Sequence, residues 1–143
     1  MATERKAEVT WRGDLMSGEG TIERVGSGAL GSLDVTWASR AEEPAGKTSP
    51  EELIAAAHAA CFAMALSHGL AQDGHAPERL ETSATVTFVP GTGITKSALD
   101  VRGRIPGGDE GAFREAAEAA KDGCPVSQAL KGNVELELNA RLA

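Results

Sequence analysis

The chain is expected to fold as an α+β domain, with mainly antiparallel strands packed on two long helices in the order βββ-α-ββ-α-β. Three observations predict this. Short runs of alternating polar and apolar residues recur, separated by glycine-rich breaks, as half-buried strands require. One long apolar segment carries clear helix-start signals. The length of 143 residues suits a single domain over 1–143, with no repeat and no linker.

The elements follow in order. Glu8–Trp11, Thr21–Val25 and Leu33–Trp37 read as a three-stranded meander, and residues 38–48 as a polar loop. Ser49 suits an N-cap, Pro50 the first helical position, and Glu52 completes a Ser-x-x-Glu capping box. The apolar run carries this helix to about Ala71, and Asp73-Gly74 ends it. Because it is apolar nearly all round, it is expected at the buried centre of the fold. Leu80–Val89 and Ile94–Ile105 alternate as strands joined by the hairpin Pro90–Gly93. Asp109 is expected to cap a second long helix with an apolar stripe of Phe113, Ala116, Ala117 and Ala120, stopped by Gly123. Cys124-Pro125 restarts a short helix to about Lys131, and Asn133–Leu142 alternates as a last strand.

The net charge of −7 comes with no basic stripe, which argues against a nucleic-acid partner. No run is expected to reach the roughly 18 apolar residues of a membrane span. The start, Met1-Ala-Thr-Glu-Arg-Lys6, has no apolar signal region, so the expected compartment is the cytoplasm, where thiols stay reduced. With two Trp, three Phe and no Tyr, the core rests on small aliphatic residues.

Two cysteines stand out. Cys61 lies in the apolar helix and is expected to be buried, whereas Cys124 sits at a Gly-Cys-Pro break and reads as a mobile hinge. Desolvation disfavours a thiolate, so a reactive Cys61 needs a cation, for which Arg40 in the preceding loop is the candidate. A buried arginine in turn needs a carboxylate, and Glu51 is freer for that than Glu52. Glu51 and Cys61 are ten residues apart, about 15 Å along one helix. A site using both is therefore expected to draw Glu51 from a second copy of the chain, giving a dimer with two shared sites. Cys124, at a helix start, suits a resolving thiol. Two other readings stay open: packed core cysteines in a non-catalytic dimer that binds a small apolar ligand, and a metal site using His58 and Cys61. His58 itself reads as a satisfied core histidine, bonded to a carboxylate.

The segment Ser49-Pro-Glu-Glu-Leu-Ile-Ala-Ala-Ala-His-Ala-Ala-Cys61-Phe-Ala-Met-Ala-Leu66 strongly resembles the osmotically inducible protein C and organic hydroperoxide resistance family, and Gly123-Cys-Pro-Val-Ser-Gln128 resembles its second signature. The resemblance extends to Trp11–Asp14, Gly18–Thr21 and Ile94–Lys96. His58 and Arg40 place it with the osmotically inducible protein C branch. It implies an intertwined homodimer and a thiol peroxidase without haem, metal or flavin, acting on organic hydroperoxides more readily than on hydrogen peroxide in stress defence. It further implies that Cys61 is peroxidatic, Cys124 resolving, Arg40 activating and Glu51 positioning. A Cys61–Cys124 disulfide would then be re-reduced by an external dithiol, whether a lipoyl protein, thioredoxin or a small thiol. Phe62, Met64 and Leu66 are expected to form an apolar entrance, favouring an alkyl tail by about 0.8 kcal/mol per buried CH₂.

Overall fold

The computed structural model describes every residue from Met1 to Ala143, in two compact units, Met1–Pro50 and Glu51–Ala143. The first unit holds β1 (Ala7–Arg12), β2 (Glu19–Val25) and β3 (Leu33–Val35), an antiparallel sheet in that order. The third strand is shorter than its alternation suggests. Thr36 instead caps a helix, α1 (Trp37–Ala41), within the expected polar loop. The Ser39 N–H donates to Thr36 Oγ1 at 3.0 Å, while Thr36 N–H donates to Ser39 Oγ at 2.9 Å. This is a capping box written Thr-x-x-Ser, in which the serine does the work usually given to Glu or Gln.

The second unit runs α2 (Pro50–Gln72), β4 (Arg79–Val89), β5 (Gly93–Arg104), α3 (Glu110–Gly123), α4 (Pro125–Leu130) and β6 (Glu135–Leu142). The β4–β5 hairpin turns at Pro90–Gly93, with Gly91 at φ 85° and Gly93 at φ 121°, conformations that residues with a Cβ resist. β6 pairs with β5 in parallel, because the chain returns through α3 and α4 rather than through a tight turn. Asp109 caps α3 as expected, accepting from the Ala112 N–H at 2.8 Å. The core joins Phe62, Leu66 and Leu70 of α2 to Leu99 and Val101 of β5 and to Phe113, Ala117 and Ala120 of α3.

Two expectations for α2 are corrected. It is not buried all round: His58, Phe62, Leu66 and Leu70, at helical i,i+4 spacing, face inward, while Ala56, Ala60, Met64 and His68 line an exposed face. It also does reach membrane-spanning length and composition, with 23 residues and a mean hydropathy of 1.6 over its best 18-residue stretch. The many alanines of α2 produce both results, since they raise hydropathy on every face regardless of which face packs.

Candidate active site

α2, α3 and α4 bring the two thiols together. Cys61 lies one turn beyond His58 on the inward side of α2, and Cys124 is the single residue between α3 and α4. Pro125 makes the break. Its ring excludes the helical region for the residue before it, and Cys124 accordingly takes φ −68° and ψ 140°. Gly123, expected as the stop, remains the last residue of α3. Cys124 therefore ends one helix and caps the next, and its Sγ accepts from the Ser127 N–H at 3.4 Å.

The expected burial of Cys61 is corrected. Cys124 is fully buried, whereas Cys61 is only partly so. A proline-set bend points Cys124 into the core, so the Gly-Cys-Pro break is a packed corner. Cys61 packs against the core cluster that contains Cys124. Burial pushes the Cys61 thiol above its ordinary value, the Cys124 thiol adds to this, and the Val126 N–H opposes it.

Behind Cys124 runs a buried polar chain. The Cys124 Sγ donates to Ser127 Oγ at 3.1 Å, Ser127 Oγ lies 2.8 Å from His58 Nε2, and His58 Nδ1 lies 2.7 Å from Ser97 Oγ. His58, Ser97 and Ser127 are all essentially inaccessible, and burial pushes the His58 imidazole below its ordinary value. His58 is thus satisfied as expected, but by two hydroxyls instead of a carboxylate. Both ring nitrogens are taken up in this way, so neither is turned to Cys61 as a metal-binding pair would need. Ser97 and Ser127 were not anticipated. Their signal was present: Ser97 stands in the inward row Ser97, Leu99, Val101, Gly103 of β5, and a lone hydroxyl in such a row requires a buried partner.

Glu51 is buried at the N-terminal end of α2, about 15 Å along the helix from Cys61 at its middle, so a single copy of this unit does not join them. Arg40 occupies the last turn of α1 in the first unit. Phe62 and Leu66 are fully buried core residues and Met64 is 74% exposed, so the three do not form one apolar entrance. Their i, i+2, i+4 spacing puts Met64 on the face opposite the other two.

Two short sheets, a long alanine-rich helix and a thiol pair held at a helix–helix corner define a small α+β dithiol protein. The family described as OsmC-like protein matches residues 43–139, and the chain belongs to that family. It is 41% identical over 140 residues to the peroxiredoxin OsmC of Escherichia coli, covering 96% of each chain. It is 33% identical over 95 residues to the organic hydroperoxide resistance protein of Xanthomonas axonopodis pv. citri, covering 64% of this chain and 65% of that one. The crystal structure of the organic hydroperoxide resistance protein OhrB of Bacillus subtilis superposes with a TM-score of 0.72 at 28% identity, covering 95% of this chain and 98% of that one.

Proposed function

We propose that the chain is a cysteine-based peroxidase that reduces organic hydroperoxides, and hydrogen peroxide less well. The observation that carries this is the packing of two free cysteines, Cys61 of α2 and Cys124 of the α3–α4 corner, against one core cluster, near enough that the Cys124 thiol raises the Cys61 thiol. The partly exposed thiol takes the peroxide, and the buried one completes the reaction. The Cys61 thiolate attacks the distal oxygen of ROOH, the O–O bond breaks, and the departing alkoxide takes a proton to give ROH. Cys124 then attacks the Cys61 sulfenic acid. The S–O bond breaks, water leaves, and an intramolecular disulfide remains. An external dithiol, on a lipoyl protein, thioredoxin or a small thiol, reduces it. The nearness of Cys124 keeps the sulfenic acid short-lived in this cycle and so limits over-oxidation.

In this reading Arg40 stabilises the Cys61 thiolate and Glu51 orients Arg40. The burial of Glu51 supports this, because a carboxylate at 6% exposure needs a charged or hydrogen-bonding partner. The same reading makes the functional protein a homodimer, each site completed by Glu51 from the other copy, with 1–143 acting as one functional domain. The exposed Ala56–Ala60–Met64 face of α2 supports dimerisation. The cytoplasm, where both thiols would return to the free state, is the compartment this cycle suits.

The test is a coupled assay with dihydrolipoamide as reductant and cumene hydroperoxide or hydrogen peroxide as substrate. Turnover should be faster with the organic peroxide and vanish in Cys61→Ser. Cys124→Ser should form the sulfenic acid without the disulfide. Thiol-dependent turnover that survives Cys61→Ser would sink the assignment.

A further inference from the structure

A buried cysteine cannot attack until it loses its proton, since the thiolate is the nucleophile. Cys124 is at 0% exposure, so bulk water does not reach it to take that proton. Its thiol instead donates to Ser127 Oγ at 3.1 Å. Ser127 Oγ is 2.8 Å from His58 Nε2, and the far ring nitrogen is 2.7 Å from Ser97 Oγ. With Cys124 as donor, the Ser127 hydroxyl proton is directed at Nε2 and the Nδ1–H at Ser97. In that arrangement His58 is a neutral imidazole whose lone pair faces, through one hydroxyl, the proton that must move.

We propose that Ser127 and His58 form a proton relay for the resolving step, with Ser127 in contact with the Cys124 thiol, His58 as the terminal acceptor and Ser97 positioning its ring. This rests on the reading of Cys124 as the resolving cysteine. As the Cys124 sulfur attacks the Cys61 sulfenic sulfur, its proton passes to Ser127 Oγ and the Ser127 proton to His58 Nε2. The S–O bond of Cys61 breaks, and the hydroxide that leaves is protonated by solvent at the partly exposed Cys61. The imidazolium returns its proton through Ser127 when an external dithiol reopens the disulfide and releases the Cys124 thiolate. Burial favours neutral imidazole in the resting state, so His58 begins the step as a base. The groups facing His58 are Ser97 from β5 and Ser127 from α4, with the Cys124 thiol behind Ser127, and no charged side chain contributes to its shift.

The experiment is a single-turnover reaction of the reduced full-length protein with cumene hydroperoxide. It is quenched at intervals with dimedone and read by mass spectrometry, so that sulfenic acid formation and disulfide formation are timed separately. Ser127→Ala should slow the second phase relative to the first by about 100-fold, the lower end for loss of general acid–base assistance, so that dimedone-trapped Cys61 accumulates. Ser127→Thr, which keeps the hydroxyl, should restore most of the rate. His58→Asn should behave as Ser127→Ala. In the two slowed variants the second phase should climb by about tenfold per pH unit between roughly pH 6 and 8, as hydroxide replaces the internal base, where wild type stays flatter. A second phase within twofold of wild type in Ser127→Ala overturns the relay. So does a slowed phase with the wild-type pH profile, which would mean that the hydroxyl only packs. Failure of the underlying reading looks different: wild-type protein would itself form no Cys61–Cys124 disulfide with peroxide.

Discussion

At Cys61 the forces within its own unit do not produce a nucleophile. Burial and the Cys124 thiol favour the protonated form, and the Val126 N–H is the one opposing contribution. The proposed Arg40 supplies what is missing, because an opposite charge within reach lowers a pKa by about 1–3 units. Arg40→Met, in a Cys124→Ser background, should therefore raise the pH midpoint of Cys61 alkylation by iodoacetamide by about 1–3 units, with Glu51→Gln shifting it the same way by less. An unmoved midpoint would remove Arg40 from the site. His58 titrates in the opposite sense. Its folded-state value is depressed, so its contribution to stability is full above the ordinary 6.5 and is lost as pH falls through the folded value. Below 6.5 the unfolded chain binds a proton that the buried ring refuses, at up to about 1.4 kcal/mol per pH unit. Denaturation midpoints of wild type should fall more steeply than those of His58→Gln on going from pH 7 to about pH 5. Parallel curves would mean that His58 is protonated in the folded state. That His58 needed buried partners was legible from its place in an apolar helix. Which partners it has was not, because Ser97 and Ser127 meet it only through pairing across elements 39 and 69 residues away.

Most elements were legible because each carries a local cause: the hairpin glycines, the Asp109 cap, the Pro125 break. The misses arise where local chemistry admits two answers. Trp37 continues an alternating run, yet Thr36 caps it into α1. The parallel pairing of β6 depends on a crossover that no local pattern encodes. One contact between elements shows how tightly α3 is seated on the sheet. A Cβ at Gly103 of β5 would stand 2.7 Å and 2.8 Å from two ring atoms of Phe113. The ring is in the core, so it cannot simply swing away, and overpacking of this kind costs about 1–3 kcal/mol. Gly103→Ala should lower the denaturant midpoint accordingly, and Gly103→Ala with Phe113→Leu should recover part of the loss. An additive double variant would show that the ring is not what the new methyl meets.

At the scale of the molecule, neither unit completes its own apolar packing. In Met1–Pro50 the buried apolar side chain is Ile22, while Val9, Leu15, Met16 and Leu30 stand exposed. A three-stranded sheet with so little core is marginal alone. In Glu51–Ala143 the exposed stripe of α2 is small and flat, so that two such helices could approach closely, and Met64 projects from it at 74% exposure. The exposed α2 stripe and the separation of Glu51 from Cys61 are both met if two copies cross along α2, as proposed above. Sedimentation should then give twice the 14.7 kDa chain mass. Ala60→Arg, placing a charge on the crossing face and clear of the core, should shift the protein towards monomer. Because the shared site would lose its Glu51, peroxidase turnover should fall in step with the dimer fraction as the variant is diluted. A monomer with full turnover would show instead that one chain holds a complete site and that the exposed stripe serves something other than catalysis.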